Sequence, residues 1–296
     1  MKKTIWIVVA VLCVAVCAVS GVFLGRYYLG LRRSSELIEQ ARVPQAQAEP
    51  QQPEPGQQPE TTVTRPPADT SDRSEIPPRP EDTEQPRVAQ LDPVQIPVDF
   101  DALHAINPEI YAWVTVPGTE LDFPVAQSET DDLFYNSHGA DGKYFILGAV
   151  FSQKTYNTKT FEDPMTFLYG HSTVYGQPGT FVELNSYADQ AYFDEHRQII
   201  IYTPENMFVY TVYAATVHNN EHILHYYDFS NEAYFDYYFE HLADPARSCD
   251  HTDPEIAPEF GDRLLTLSTC YAPDKSQRYL ITGVLTGIAP AAAEVP

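Results

Sequence analysis

The chain is poor in basic residues and in cysteine. Its 18 Lys and Arg stand against 41 Asp and Glu, which gives a formal net charge of −23 at pH 7 over 296 residues. Charge of this sign and size repels nucleic acid and anionic lipid head groups, so a nucleic-acid-binding function is excluded. The 4 cysteines include no CxxC pair, which argues against a structural zinc site.

The longest apolar run covers residues 5–24 and contains no charged residue. This length crosses the hydrocarbon core of a bilayer as a helix, so we predict a retained membrane anchor. A cleaved signal peptide is the alternative, because AVSG at residues 18–21 has the small residues of a cleavage site. The run is longer than the usual signal core of about 7–15 residues, which favours the anchor. Basic residues flank both ends, so charge does not decide the orientation.

A proline-rich segment separates this run from the rest of the chain. Residues 43–97 hold 13 of the 25 prolines and no aromatic residue. Such a composition buries too little apolar surface to offset the entropy of ordering, so we predict that residues 25–96 form a disordered tether. The tether is expected to hold one domain, residues 97–296, away from the bilayer. From residue 97 onward, 8 Lys and Arg stand against 29 Asp and Glu.

The domain is predicted to be mainly β. A helical spacing of Leu103, Ile106 and Ile110 opens it, and a strand around residues 113–116 follows. Seven further runs are rich in β-branched and aromatic residues and are bounded by turn formers, as strands are: residues 121–127, 144–151, 166–172, 197–204, 207–218, 263–270 and 278–288. One amphipathic helix, from Ser230 to about Asp244, lies between strands. Seven or eight strands in one domain favour a closed barrel or a sandwich.

The stretch LLTLSTC, residues 264–270, ends a strand on a thiol. Strand alternation places Ser268 and Cys270 on one face and Leu267 and Thr269 on the other. A buried structural cysteine is expected among aliphatic neighbours, whereas Cys270 shares its face with hydroxyl groups. The pattern therefore favours a reactive thiol, which needs a nearby cation or base to form the thiolate.

Two residues can supply that environment. Arg278 begins the next strand, and a hairpin through residues 271–277 would bring its guanidinium back to Cys270. His171 follows a buried-looking strand after Gly170, whose freedom permits a sharp turn that exposes the imidazole. A salt bridge from Arg278 to Asp274 is the structural alternative.

Other arrangements of these residue types stay open. Cys249 and Cys270 could form one disulfide in an extracytoplasmic compartment. His218, His222 and His225 in HNNEHILH have a spacing that a metal-binding helix could use, but no HExxH pattern accompanies them. Exposed loop histidines explain the same pattern.

TLSTC with its downstream Arg278, and YGH upstream, closely resembles the sortase family of cysteine transpeptidases. The resemblance covers residues 97–288 and includes INPEIYAWVTVPGTELDFPV and FVELNSYADQAYFDEH. The interval of 99 residues from His171 to Cys270, with a helix inside it, is similar to class B sortases. One departure is that YGHST lacks the Asn-Met pair that often follows the histidine in that class.

The resemblance implies a sortase-like closed β-barrel of seven or eight strands, with an N-terminal helix and an inserted helix before the last two strands. It implies that Cys270 cleaves a sorting signal after Thr, that His171 is the general acid and base, and that Arg278 binds the substrate backbone or the oxyanion. The N–H of Tyr271 is a candidate oxyanion donor, and Ser268 and Thr269 are candidate substrate-binding residues. No metal or organic cofactor is expected.

The implied location is the outer face of a Gram-positive membrane, with residues 1–4 in the cytoplasm and one membrane-spanning helix. The implied partners are secreted proteins with a C-terminal sorting signal and an acceptor amine, from a lipid II type cell-wall precursor or a pilin lysine. Two alternatives remain: a silent extracytoplasmic binding module with Cys249 and Cys270 paired, and a thiol hydrolase in which water resolves the acyl-enzyme.

Overall fold

A computed structural model describes residues 2–43 and 87–293 of the chain. Its helices are α1 Lys2–Ala41, α2 Phe100–Ile106, α3 Gln190–Glu195, α4 Ile223–Tyr226 and α5 Glu232–Glu240. Its strands are β1 Ala89–Gln90, β2 Ile110–Thr115, β3 Asp122–Ala126, β4 Val150–Phe151, β5 Met165–Tyr169, β6 Thr173–Val174, β7 Gln177–Pro178, β8 Gln198–Tyr202, β9 Asn206–His218, β10 His251–Thr252, β11 Leu264–Cys270 and β12 Arg278–Pro290. Short 3₁₀ turns lie at Phe134–Asn136, Val182–Ala188 and Pro254–Ile256.

Eight of the strands close into a barrel. Their order is β12-β11-β5-β4-β3-β2-β8-β9, and antiparallel pairing of β9 with β12 completes the ring. β5 runs parallel to β11, and β3 runs parallel to β4, while the other neighbours are antiparallel. The predicted mainly β barrel with an N-terminal helix and an inserted helix is therefore confirmed.

Strand alternation divides the apolar residues between the barrel interior and its outer face. Leu267 and Ile281 point into the interior, where they join the largest buried cluster. Leu264 and Leu280, on the opposite faces of the same two strands, pack under α5 with Phe235. This outer layer covers the sheet beside the end of β11, and it leaves the last residue of that strand at the rim.

The predicted helices form, with different ends. Asp99 caps α2 by accepting from the N–H of Ala102 at 2.9 Å, and Asn107, before Pro108, adopts the extended conformation that ends the helix. Ile110 therefore belongs to β2. The inserted helix α5 begins after the cap Asn231 and ends at Glu240, short of the predicted end at Asp244.

The predicted strand at residues 144–151 is wrong for most of its length. Only Val150–Phe151 pairs as a strand, because Gly148 has a φ of +63° and its N–H donates to the carbonyl of Phe145 in a turn at 2.9 Å. A left-handed residue inside an apolar run breaks the ladder, and glycine permits it.

The boundaries predicted for the tether also differ from the structure. Residues 25–41 continue helix α1, where Leu37 and Ala41 are buried against the barrel, so the helix is stabilised by packing beyond the apolar run. At the other end, β1 pairs with β12 in parallel. The predicted disordered region thus loses residues 25–43 and 87–96, and its remainder, residues 44–86, lies outside the described residues.

Two glycines in the left-handed region test how tightly the segment before β4 is packed. A Cβ on Gly148 would lie 2.6 Å from the carbonyl oxygen of Tyr135, whereas a Cβ on Gly142 (φ +72°) would meet no atom within 4 Å. We expect Gly142→Ala to lower the free energy of unfolding by about 1–2 kcal/mol, the usual cost of a left-handed alanine. Gly148→Ala should lower it further, because it adds a collision with backbone. Urea denaturation of the detergent-solubilised chain measures the free energy of unfolding of both variants. Equal losses would show that the backbone at Tyr135 moves aside without cost.

Candidate active site

The ends of three neighbouring strands bring the predicted catalytic residues together. Cys270 is the last residue of β11, and its backbone partner on β12 is Arg278. β5 runs parallel to β11 with Tyr169 opposite Ser268, so His171 leaves β5 beside Cys270. Parallel neighbours are about 4.8 Å apart, which is the scale of separation between these two backbone segments. All three side chains line one cavity of about 260 Å³.

The guanidinium of Arg278 faces the thiol. Its Nη1 lies 3.7 Å from Sγ of Cys270, and it also donates to the carbonyls of Gln277 and Lys275 at 3.2 and 3.4 Å. The alternative, a salt bridge from Arg278 to Asp274, does not form, since the Asp274 carboxylate instead accepts from Ser276. A cation held by backbone carbonyls beside a thiol can stabilise negative charge on the sulfur or on an acyl oxygen bound to it.

His171 is held by a backbone carbonyl from another loop. Its Nε2 lies 2.9 Å from the carbonyl oxygen of Asn136, so this nitrogen carries the proton and donates it. The N–H of Phe181 donates to the carbonyl of His171 at 2.9 Å and closes the segment behind it. The imidazole is half-buried at the cavity wall.

The two residues before Cys270 have separate roles. Thr269 is buried, and its Oγ1 donates to the carbonyl of Gly170 at 2.8 Å, while the N–H of Gly170 donates to the carbonyl of Ser268 at 3.1 Å. Thr269 therefore ties the strand to the residue before His171, and its hydroxyl does not face the cavity as a free group. Ser268 and Thr269 both line the cavity, where a substrate could contact them.

Tyr271 points away from the cavity. Its N–H donates to the carbonyl of Gln277 at 3.1 Å, so the candidate oxyanion donor is already used inside the hairpin. Its hydroxyl donates to Sγ of Cys249 at 3.3 Å, and the hydrogen bond to that sulfur and burial raise the pKa of Tyr271 to about 12. Cys249 and Cys270 are both free thiols, contrary to the disulfide alternative.

Asn185 is a site residue that the sequence did not reveal. Its Nδ2 donates to Ser172 Oγ at 3.1 Å and to the carbonyl of Cys270 at 3.4 Å, and its Oδ1 accepts from the N–H of Ala272 at 2.8 Å. One amide thus joins the residue after His171 to the residues on both sides of Tyr271. An asparagine in a 3₁₀ turn gives no pattern from which this role could be inferred.

The cavity has an aromatic floor and a polar rim. Its floor includes Phe151, Phe167 and Tyr169, and burial raises the pKa of Tyr169, which keeps it a neutral phenol. At the rim, Nε2 of His222 lies 2.6 Å from Oε1 of Gln153 and donates to it. Burial lowers the pKa of His222, so this contact is between neutral groups at pH 7.

The three histidines of HNNEHILH have different partners. Nδ1 of His218 lies 3.2 Å from the carbonyl oxygen of Asn219, and Nδ1 of His225 lies 3.4 Å from the hydroxyl of Tyr156, while His222 binds Gln153. They do not converge on one point. Among residues 2–43 and 87–293, no group of three or more His, Cys, Asp or Glu side chains is arranged to hold a metal ion.

Removal of the Asn185 amide should slow the reaction at Cys270 without unfolding the protein. We expect Asn185→Ala to reduce kcat by about 5- to 150-fold, because hydrogen bonds that position the Cys270 segment are each worth about 1 kcal/mol. KM should change less than kcat. The control is Gln190→Ala, which removes an exposed amide bonded to Asp194 in α3. Equal rates for the two variants would show that Asn185 does not position Cys270.

Comparisons with known proteins agree on one family. The family model for the sortase domain matches residues 114–286. Staphylococcus aureus sortase B is 26% identical over 174 residues, which cover 58% of this chain and 67% of that protein. A Streptococcus pyogenes class B sortase involved in pilus biogenesis has a TM-score of 0.52 at 26% identity, covering 63% of this chain and 97% of that chain. A Staphylococcus aureus sortase B-substrate complex has a TM-score of 0.53 at 23% identity, covering 63% and 83%.

Proposed function

Because the chain belongs to the sortase family of cysteine transpeptidases, we propose that it cleaves a C-terminal sorting signal after Thr and joins the carboxyl side to an amine of a cell-wall precursor. The observation that carries this proposal is the cavity that Cys270, His171 and Arg278 line together. Its aromatic floor and polar rim suit an extended peptide with both apolar and polar side chains.

In the first half-reaction, the proton of the Cys270 thiol passes to His171, and the sulfur attacks the carbonyl carbon of Thr in the sorting signal. Negative charge moves to the carbonyl oxygen, where the Arg278 guanidinium, 3.7 Å from the sulfur, is placed to stabilise it. His171 gives a proton to the departing amine as the peptide bond breaks. A thioester on Cys270 and a free amine are the products of this step.

In the second half-reaction, an acceptor amine attacks the thioester carbonyl. His171 takes the proton that the amine loses, and the sulfur of Cys270 leaves as a new amide forms. The two half-reactions thus exchange one peptide bond for another and need no metal or redox cofactor. Among the described residues, Arg278 is the guanidinium that lines the cavity, so it is expected to serve in both steps.

The N-terminal helix supports a membrane location for this reaction. Within the described residues, one helix, α1, has the length and composition to cross a bilayer. We propose that it is the single anchor, with residues 1–4 in the cytoplasm and the barrel outside. The clients are then secreted proteins that carry sorting signals. The acceptor is proposed to be a lipid II type precursor, and a pilin lysine is the alternative suggested by the Streptococcus pyogenes relative.

This mechanism predicts a covalent intermediate on Cys270. We expect mass spectrometry of the chain, incubated with LPxTG-like and NPxTx-like peptides and a small amine, to show an acyl adduct on Cys270. The adduct should convert to an amine-ligated peptide. Cys270→Ala is the control and should give neither product, with the fold intact by circular dichroism.

Three other results are informative. An adduct resolved only by water would identify a thiol hydrolase. Transfer to a pilin-type lysine peptide in preference to a peptidoglycan-type amine would favour pilus assembly. Adduct on a residue other than Cys270, or none with any peptide, would contradict the proposed mechanism.

The mechanism also predicts that the guanidinium of Arg278 is required for catalysis. Arg278→Lys keeps the positive charge. In the structure Nη1 alone contacts the thiol and the loop carbonyls, and the single nitrogen of an ammonium cannot make these contacts and also offer a separate donor to the substrate, as a guanidinium can. We expect kcat/KM to fall by about 10²-fold or more, as for loss of an oxyanion donor. Steady-state kinetics of the two proteins measure this, with Arg247→Lys, outside the cavity, as the matched control. Wild-type kcat/KM in Arg278→Lys would leave the guanidinium without a catalytic role.

A further inference from the structure

Helix α1 is joined to the barrel by a continuous set of contacts. Near its C-terminal end, Leu37 and Ala41 are buried, and the carbonyl of Ala41 accepts from the N–H of Asp99 at 2.8 Å. Arg33 forms an ion pair with Asp141 at 3.3 Å. Apolar burial, backbone pairing and charge thus act on one face of the helix. The barrel is expected to follow the helix as one body.

One glycine sets how closely the helix approaches. At Gly30, a Cβ would collide with the ring of Phe145, so the helix backbone lies directly on that ring. Gly25, about 1.4 turns earlier, has no atom within 4 Å of the position that its Cβ would take. The two glycines therefore differ in whether the barrel lies against them.

The contacts extend into the apolar run itself. Val19, Val22 and Phe23, which belong to the predicted span at residues 5–24, border a cavity of about 290 Å³ together with Tyr144 and Ile146. The barrel therefore reaches helix positions that the composition assigns to the bilayer.

The β6–β7 hairpin makes a second contact at the same height. The ring centroid of Tyr175, at its tip, lies 6.5 Å from that of Phe23, and the hydroxyl of Tyr27 donates to Gln177 at 3.0 Å. If Phe23 lies at the edge of the hydrocarbon, Tyr175 must lie within the interfacial layer. The position of the hairpin relative to the bilayer is thus set by α1.

The side chains of the barrel that lie beside Phe23 of α1 suit a lipid interface. Tyr175 is 80% exposed and Tyr144 is 51% exposed. A tyrosine is stabilised where its ring is buried and its hydroxyl is hydrated, and the boundary of a bilayer offers both. The exposed basic residues Arg26, Arg32 and Lys143 lie on the same segments. Residues 97–296 carry 8 basic and 29 acidic residues, so the domain as a whole repels lipid phosphate groups. The basic side chains at this surface oppose that repulsion.

We propose that Tyr144, Ile146 and Tyr175 form a membrane-facing surface that docks on the same bilayer that α1 enters. The proposal rests on the membrane anchoring proposed above. It deepens that function, because β6 begins two residues after His171, so the histidine side of the cavity is held next to the lipid. A sorting signal still attached to the membrane would meet the cavity without first leaving the surface.

Tryptophan quenching by brominated lipid tests this surface in the full-length chain. The protein has 2 tryptophans, Trp6 in α1 and the fully buried Trp113. The probe is the double variant Trp6→Phe with Tyr175→Trp, reconstituted in phosphatidylcholine vesicles with or without bromine on the acyl chains. We expect the emission of the new tryptophan to shift to the blue in vesicles and to be quenched by the brominated lipid.

The matched probe is Trp6→Phe with Tyr226→Trp. Tyr226 is 59% exposed and lies in α4, which follows β9. β9 is three strands from β5 in the barrel, and Ile223 of α4 lines the same cavity as His171. We expect no quenching there. Equal quenching of both probes would show general adsorption of the barrel to lipid and would overturn the proposal.

Substitution of Gly30 provides a second, independent test. Gly30→Leu, added to the Tyr175→Trp probe, should separate the barrel from α1 and remove the quenching, whereas Gly25→Leu should retain it. Cleavage of a soluble peptide should persist in both variants, since neither glycine lines the cavity. Retained quenching in Gly30→Leu would mean that the barrel reaches lipid without the helix contact, contrary to the proposal.

The parent protein separates failure of docking from failure of anchoring. If Trp6 is quenched and the Tyr175 probe is not, α1 is inserted and the docked surface is wrong. If Trp6 is also unquenched, the proposed anchor itself fails. Formation of the amine-ligated peptide in detergent, measured on the same samples, reports on the transpeptidase activity apart from both.

Discussion

The parallel pairing of β5 with β11 is the constraint on which the site depends. Parallel strands end at the same edge of a sheet, so the residues that follow β5 and end β11 must be neighbours. Ser268 lies opposite Tyr169, and from that register His171 and Cys270 arrive side by side. An antiparallel partner would place the histidine at the far end of the barrel. The chemistry therefore follows from strand direction before any side chain is considered.

Parallel pairing requires a long connection, and the chain uses that connection to build the rest of the site. Between β5 and β11 lie the turn that carries Asn185, the long strand β9 and the helices α4 and α5. Asn185 binds both arms of the site, and α4 supplies Ile223 to one wall of the cavity. The residues that support and enclose the thiol are thus distributed over the crossover, and they are not concentrated near Cys270.

Much of this could be predicted from local patterns. Alternation in LLTLSTC placed Cys270 at a strand end among hydroxyl groups, and the short loop after it predicted that Arg278 returns to the thiol. Both depend only on strand geometry and hairpin length, which neighbouring residues determine. The turn at Gly170 made His171 the best candidate among several histidines. The resemblance to sortases supported that choice and selected the closed barrel from two β architectures.

The remaining features depend on contacts between distant segments. The carbonyl of Asn136 that holds His171 and the amide of Asn185 belong to loops with no periodicity. Apolar composition favoured a strand at residues 144–151. The turn at Gly148 and the packing of Phe145 under α1 depend instead on tertiary contacts. Likewise, proline content at residues 43–97 suggested where the tether lies, and it could not indicate that α1 stays on the barrel up to residue 41.

The attachment at both ends of residues 44–86 changes what that segment can do. The N–H of Val43 donates to the carbonyl of Pro97, and β1 pairs with β12, so the chain leaves the barrel and returns to it. Because contacts hold the chain to the barrel on both sides of residues 44–86, the length of that segment does not set the distance of the barrel from α1. An insertion, a tag or a single proteolytic cut within residues 44–86 would leave the attachments on both sides in place. Here a cut would leave the two fragments associated through the buried face of the helix, as a split enzyme.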